Sequence, residues 1–267
     1  MLFRSPKAAD LARAIHETAA DPGEVYRVRE LNFAREDIRI YLTEGYLVFS
    51  KPVEGRRVWA AFSSDVEGGD AEVLLLPPTR SERQSLAGFT NSPNLDEHLR
   101  SAFMVFTDGT ADRLLEQIQR EGVGRRVPEM GPAKAAEWSG IAGNIAAPMQ
   151  LRLVEDILAP QGEGALTFLA FSGKTLGNFD VVMDGRQGNQ IVIRRRTERD
   201  GKPSYDLWTS FPARSARTGK AVAPAQGFTL SDYRIDASLD ALLQVQANTK
   251  VTVRVGAQPR QIGRAHV

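Results

Sequence analysis

Cysteine is absent from this 267-residue sequence, so disulfide bonds, thiolate metal ligands and a cysteine nucleophile are excluded. Histidine is scarce, and occurs only at His16, His98 and His266. The longest apolar run, residues 165–171, is interrupted by Thr167 and falls far short of the roughly 20 residues of a membrane-spanning helix. The 34 Lys and Arg residues almost balance the 33 Asp and Glu residues, so no net charge attracts nucleic acid or an anionic membrane.

The remaining composition is that of an ordinary globular protein, with 42% apolar and 25% charged residues. The length predicts one or two domains. A domain of about 150 residues or more hides roughly 70% of its unfolded surface, so one domain of this chain can bury a core by itself.

The two ends of the chain look foreign to the rest. Residues 262–267 resemble the translation of a sequencing-library adapter, and the opposite strand of the same DNA string encodes a start codon followed by Leu2, Phe3 and Arg4. We therefore expect residues 1–5 and 262–267 to be adapter scars that take no part in the fold, and the natural protein to be longer at both ends.

Hydrophobic periodicity predicts the main elements of the fold. Helical spacing and capping patterns predict helices at residues 5–20, after Thr79, after Asn94, after Asp108, at 133–145 and at 149–158. Two-residue alternation between turn signals predicts strands at 38–42, 46–50, 58–62, 72–76, 102–106, 166–171, 179–183, 190–194 and 205–209. The sequence thus predicts an α+β domain over residues 6–212, with a mostly antiparallel sheet and several flanking helices.

The rest of the chain is predicted to begin a second domain. Residues 213–227 are rich in Ala, Gly, Lys and Pro without an apolar period, which is typical of a linker. Two strands follow, at 233–239 and 245–255, and two strands rarely form a stable unit alone. We interpret residues 228–261 as the first strands of an incomplete β-sandwich.

A catalytic zinc site needs histidine ligands at a fixed spacing. His16-Glu17 begins the pattern His-Glu-x-x-His, but Ala20 stands where the second histidine is needed. His98 lies far away in the sequence, and His266 falls in a predicted scar. We therefore predict no metal site in this chain, with His16 and His98 on helix surfaces.

Motifs for nucleophilic catalysis and phosphate binding also fail at their defining positions. Neither Ser139 nor Ser172 has the flanking glycines of a nucleophile elbow. Residues 173–175 resemble the end of a phosphate-binding loop, but Phe168 occupies the place of its first glycine. We therefore assign no catalytic or cofactor-binding residue.

Three pairs of adjacent acids and one run of arginines are predicted to be solvated. Neighbouring carboxylates do not face each other on a helix and point apart on a strand, so Glu36-Asp37, Asp96-Glu97 and Glu155-Asp156 are interpreted as surface acids. The run Arg194-Arg195-Arg196, together with Arg199 beside the turn at residues 200–201, is interpreted as a solvated hairpin tip or a charged edge strand, with an anion or nucleic-acid contact as the alternative. Four aromatic side chains are predicted to pack in the core: Trp59, Phe62, Trp208 and Phe211.

Several stretches resemble the amino-terminal extension of bacterial M1-family metallopeptidases of the membrane alanyl aminopeptidase type. They include Trp208-Thr209-Ser210-Phe211-Pro212-Ala213-Arg214 and residues 31–38, 41–47, 68–72, 77–83, 94–98 and 177–180. The strands at 233–240 and 249–255 are similar to the start of the β-sandwich that precedes the M1 catalytic domain. The resemblance covers most of residues 6–257.

The resemblance implies a non-catalytic, structural or shielding fragment of a zinc aminopeptidase. Members of the family use His-Glu-x-x-His with a downstream Glu to bind zinc, and Gly-x-Met-Glu-Asn to hold the substrate amino terminus; neither motif occurs here. The resemblance therefore implies no zinc or other cofactor in this chain and zinc in the full-length parent. It also implies that the missing catalytic domain is the partner, and that the parent is exported to the periplasm or the cell exterior.

Two other functions remain open from the residues alone. The chain could be a free-standing binding or interaction module, in which case both strands after residue 228 should be buried in its own sheet. It could also be a hydrolase that uses two carboxylates, in which case two facing acids with raised pKa values should share a pocket.

Overall fold

The computed structural model describes residues 6–158, 164–220 and 228–255. The predicted scars and parts of the predicted linker and β-sandwich lie outside these ranges. The helices are α1 (Pro6–His16), α2 (Arg80–Thr90), α3 (Thr110–Glu121), α4 (Gly131–Ala142), α5 (Ala147–Leu158) and α6 (Arg214–Arg217), with a 3-10 turn at Pro128–Met130. The strands are β1 (Ala20–Arg35), β2 (Ile38–Ser50), β3 (Trp59–Ser63), β4 (Asp70–Leu75), β5 (Leu95–Phe106), β6 (Gly124–Arg126), β7 (Leu166–Gly173), β8 (Asn178–Asp184), β9 (Ile191–Arg199), β10 (Lys202–Phe211), β11 (Phe228–Leu239) and β12 (Val245–Val255).

Ten of the strands form one antiparallel sheet, which confirms the predicted α+β class. The order is β10-β9-β8-β7-β5-β3-β2-β1-β6, and β4 pairs with both β2 and β5. Long hairpins connect most neighbours along the chain, as the regularly spaced turn signals predict.

Strands β3 and β4 share one position between β2 and β5. Tyr46 of β2 pairs with Ser63 at the end of β3, and Glu44 pairs with Asp70 at the start of β4, so the two short strands lie end to end. The chain between them leaves the sheet and returns at Gly69, where a Cβ atom would lie 2.0 Å from the Ser64 carbonyl oxygen. Glycine is required there because the backbone approaches itself too closely for any side chain.

The sheet buries apolar side chains on both of its faces. Successive strand residues point to opposite sides, so Trp59 and Phe62 belong to different clusters. On one face, α2 and α3 cover the sheet with residues such as Leu86 and Leu114. On the other, α1, α4 and α5 contribute residues such as Ile15 to the second cluster. The predicted core positions of the four aromatic residues are confirmed, since Trp59, Phe62, Trp208 and Phe211 are at most 1% exposed.

The helix start predicted at Asn94 is wrong. Strand β5 begins at Leu95, directly after Asn94, and in it Leu95, Glu97 and Leu99 point inward while the intervening residues point outward. Because the middle inward-facing residue is the charged Glu97, the sequence does not show the apolar alternation that would predict a strand here. His98 consequently lies on a strand and not on the predicted helix surface, whereas His16 ends α1 and is exposed as predicted.

One acid of each adjacent pair is buried, which contradicts the prediction that these acids are solvated. Asp37, Glu97 and Asp156 are 6%, 3% and 7% exposed. Each is paired with donors from a distant segment; the Glu97 carboxylate, for example, accepts hydrogen bonds from the backbone N–H groups of Thr175 and Leu176. Buried carboxylates need such donors, and the sequence does not reveal donors that lie many residues away.

The first residues of the predicted linker form a bound helical turn. Asp37 accepts hydrogen bonds from the Arg214 backbone N–H at 3.0 Å and from Arg217 Nη2 at 2.8 Å. Glu36 accepts two more, from the backbone N–H and the hydroxyl of Ser215. These contacts hold α6 against the turn between β1 and β2. Residues 221–227 of the predicted linker lie outside the described residues.

The chain divides into two compact units, Met1–Ala223 and Pro224–Val267. In the second, β11 and β12 form a two-stranded antiparallel sheet, here called the terminal hairpin. Within the described ranges, no helix has the length and apolar character needed to cross a membrane.

Candidate functional site

A wide groove lies on the sheet face that carries β5, β7, β8 and β9 in the first unit. Its volume is about 1140 Å³. Residues from the end of α4 and from the segment that leads into α5, such as Ile141 and Ile145, form one wall. The groove exists because the helices on this face cover β1–β3 and β5 but leave β8 and β9 open.

The register of the sheet places an apolar half beside a polar half. Phe103 pairs with Ala170, Ala170 with Asp180, and Asp180 with Arg194, so these four side chains form a row across four strands. Trp138 stacks on Phe103 with ring centroids 6.2 Å apart, which closes the apolar end. The row therefore runs from aromatic rings to an ion pair.

Asp180 and Arg194 form the centre of the polar half. Arg194 Nε lies 3.6 Å from Asp180 Oδ2, and the two side chains are 31% and 18% exposed. The Arg194 guanidinium stacks on the Tyr205 ring at 4.1 Å, which fixes the plane of its fork. Arg196 and Asn178 line the same side of the groove.

Burial raises the pKa of Asp180 above its usual value, and the positive charge of Arg194 only partly offsets that rise. The ionised carboxylate is thus poorly stabilised although an arginine lies beside it. The geometry explains this, because 3.6 Å is too long for a good hydrogen bond.

We expect Asp180→Asn to raise the free energy of unfolding at neutral pH. Because the pKa of Asp180 is higher in the folded chain than in the unfolded one, ionisation of this carboxyl favours unfolding. That cost is complete above the raised pKa and disappears below the usual aspartate value. The gain in Asp180→Asn should therefore shrink as the pH falls from 7 towards 4, as measured by urea unfolding at several pH values.

Asp108→Asn provides a control of opposite sign. Burial raises the pKa of Asp108, but Arg35, the Thr110 hydroxyl and Arg113 outweigh it and hold the pKa below its usual value. Asp108→Asn should lower stability at neutral pH, and the loss should vanish as the pH falls through the depressed folded-state pKa. Equal pH profiles for the two variants would contradict this description of the groove.

Two buried polar atoms at the groove have no hydrogen-bond partner among the described residues. They are Arg194 Nε in the polar half and Trp138 Nε1 in the apolar half. Buried polar groups are nearly always hydrogen-bonded in folded proteins, so unpaired groups along one groove point to a ligand that supplies the partners.

The arginine run is divided between two faces of a strand that is not at the sheet edge, and Arg196 and Arg199 are exposed as predicted. Arg194 and Arg196 line the groove, whereas Arg195 points to the other side, lies over the Trp208 ring and donates to the Leu176 carbonyl oxygen. Strand β9 is paired on both edges. The side-chain alternation of a strand could have predicted this division, because it places Arg194 and Arg196 on one face and Arg195 on the other.

The serines and the loop singled out in the sequence lie in different places. Ser172 lines the groove, whereas Ser139 is exposed on α4 and donates to the Ala135 carbonyl oxygen. Gly173 ends β7 and residues 174–175 begin the turn that leads to β8, where Lys174 Nζ donates to Asp70 Oδ1 at 2.7 Å. The lysine is thus used in an ion pair.

One pair of neighbouring acids, Glu72 and Asp96, lies away from the groove. Burial raises the pKa of Glu72, and the neighbouring carboxyl of Asp96 raises it further. Neither residue lines the groove. The pocket and this acid pair are separate, so the hydrolase alternative gains no support from them.

The described residues do not offer a zinc site. No group of three His, Asp or Glu side chains among them is arranged to hold a metal ion. His98 Nδ1 lies 2.9 Å from Asp70 Oδ2, and Asp70 is also bound to Lys174, so a cation already occupies its second oxygen. Zinc therefore does not fit the residues around His98.

No family model, no curated protein and no solved structure matches this chain. The groove and the terminal hairpin are therefore the features from which its function is inferred.

Proposed function

We propose that this chain is a non-catalytic, structural module of a larger protein, and that its terminal hairpin begins a further β domain of the same polypeptide. The observation that carries the proposal is the exposed apolar face of that hairpin. We propose that the larger protein is an M1-like zinc metallopeptidase. This part of the proposal rests on the sequence stretches that resemble that family.

The terminal hairpin is amphipathic. Ile235 pairs with Thr249, Ala237 with Ala247 and Leu239 with Val245, so these side chains share one face. The alternate residues are polar or charged, including Arg234, Asp236, Ser238, Gln246, Asn248 and Lys250. A sheet with one apolar and one polar face is typical of a layer that packs against another layer.

The apolar face is open to solvent. Ile235 and Leu239 are 63% exposed and Val245 is 67% exposed. A two-stranded hairpin is marginally stable in water, and exposed apolar side chains add no stability. The hairpin therefore needs additional strands, and a β-sandwich would supply them by pairing with its edges and covering this face.

A free-standing binding module is the second candidate, and the groove is the observation that favours it. The groove is built within the first unit alone, and it has unpaired polar atoms beside aromatic rings. The two functions are compatible, because a structural module can also bind a ligand. They differ in what they predict for the terminal hairpin.

Hydrogen–deuterium exchange of the full chain tests the proposal. Backbone amides of β11 and β12 should exchange at least about 100-fold faster than those of β2, β3 and β5, because an uncovered hairpin opens easily. Protection of the terminal hairpin equal to that of β3 would show that the chain already covers it, and would contradict the proposal. Aminoacyl p-nitroanilides with added zinc should give no turnover, and turnover would equally contradict a non-catalytic role.

A further inference from the structure

We propose that the groove binds an amphipathic carboxylate, a molecule with one carboxylate at the end of an apolar chain. The carboxylate binds at Arg194 and Arg196, and the chain extends over Ala170 towards Phe103 and Trp138. This inference is independent of the proposed structural role, since it concerns a ligand of the first unit.

The polar end is suited to a carboxylate. Arg194 is held flat on Tyr205, and its Nε has no hydrogen-bond partner among the described residues. Arg196 lies two residues along the same strand and lines the same groove. A guanidinium fork of fixed plane binds a carboxylate with two parallel hydrogen bonds, which a single ammonium group cannot reproduce.

Two acids also line this half of the groove. Glu198 is exposed, at the end of β9. Asp180 is the closer one, at 3.6 Å from Arg194, but burial disfavours its ionised form. An incoming carboxylate therefore competes with a weak partner, and its binding favours uptake of a proton by Asp180.

The apolar end is suited to a hydrocarbon chain. Three strand spacings of about 4.8 Å separate Arg194 from Phe103, a distance of about 14 Å across the sheet. Ala170 lies between them, and because its side chain is a single methyl group it leaves space above the sheet for a hydrocarbon chain. Phe103 and Trp138 then close the path with stacked rings. A polar head and an apolar tail at opposite ends of one groove define the ligand class.

Calorimetric titration of the full chain with dodecanoate, below its micelle concentration, tests this inference. We expect one saturable site, with dodecanol bound at least about 10-fold more weakly because it lacks the charge that a bidentate arginine recognises. Arg194→Gln should weaken dodecanoate binding by at least about 10-fold. Asp180→Asn should tighten it, because the competing carboxylate is gone.

Ile235→Thr in the terminal hairpin is the matched control, since it changes an exposed apolar residue far along the chain from the groove. It should leave dodecanoate affinity unchanged. Circular dichroism melts of all variants check that each folds, and Arg194→Lys, which keeps the charge without the fork, should bind with intermediate affinity. Equal affinities for dodecanoate and dodecanol, or loss of binding in Ile235→Thr alone, would overturn the proposal.

A second titration distinguishes the source of the carboxylate. A short peptide that ends in Leu-Phe with a free carboxylate is compared with its amidated form. Preference for the free peptide over dodecanoate identifies a chain terminus as the ligand, and the reverse identifies a fatty acid. Failure of both probes to bind better than their neutral counterparts would overturn the carboxylate assignment.

Discussion

Trp59→Ala is expected to lower the free energy of unfolding by about 3–5 kcal/mol, the usual cost of removing a large buried aromatic side chain. Trp59 is fully buried at the centre of the sheet. Its ring lies 5.3 Å from that of Phe103, and its Nε1 donates to Thr18 Oγ1 at 3.2 Å. The substitution leaves a cavity and an unpaired hydroxyl, and the loss is a large fraction of a typical domain stability of about 5–15 kcal/mol. Urea unfolding followed by circular dichroism measures the change.

Two control variants show whether the loss of stability comes from core packing at Trp59 or from a general sensitivity of the protein to substitution. Trp59→Phe keeps most of the ring but loses the hydrogen bond to Thr18, and should cost roughly 1–2 kcal/mol. Leu76→Ala, at a position 54% exposed, should change stability by less than about 0.5 kcal/mol. A loss below about 1 kcal/mol in Trp59→Ala would mean that the cluster under α1 and α4 is not packed as described.

Asp37→Ala is expected to cost about 2–3 kcal/mol, because it leaves the Arg214 backbone N–H and the Arg217 guanidinium without their acceptor. The Asp37 side chain is only 3% exposed, and its hydrogen bond is the largest cause of the raised pKa of Arg217. Release of α6 should also let the backbone at its two arginines unfold locally and enter a protease site. We therefore expect trypsin to cut after Arg214 and Arg217 at least about 10-fold faster in the variant, as followed by mass spectrometry.

Asp37→Asn tests the role of the charge at this position. The amide oxygen can still accept one hydrogen bond but cannot pair with the guanidinium, so stability and protease resistance should both lie between those of the wild type and Asp37→Ala. Unchanged cleavage in both variants would show that α6 is held by other contacts, such as those of Glu36 with Ser215.

Local patterns predicted most of the first unit because most of its elements are amphipathic. In β8, Phe179, Val181 and Met183 alternate with residues of the other face, and the structure gives the same strand. In α3, Leu114 and Ile118 share one buried face. Such elements carry their own period, so the sequence is sufficient for them.

The wrong predictions arose where polar side chains are buried. Glu97 interrupts the apolar alternation of β5, and Asp37 turns part of the predicted linker into a bound helix. In both cases the compensating donors lie 78 and 177 residues away along the chain. A single sequence contains no local signal for such pairs, because the energy that permits the burial comes from tertiary contacts.

The groove was missed for a related reason. Its row of Phe103, Ala170, Asp180 and Arg194 depends on the register between four strands, which is fixed only when the whole sheet assembles. The alternation within β9 could have indicated that Arg194 and Arg196 share a face away from Arg195. The aromatic partners on β5 and α4 could not be identified without the fold.

We propose that the terminal hairpin begins a β domain of a larger, zinc-dependent protein. Sequencing the source DNA downstream of this chain tests this proposal most directly. We expect the reading frame to continue through further alternating strands to a His-Glu-x-x-His helix. A continuing frame without that helix would contradict the proposal.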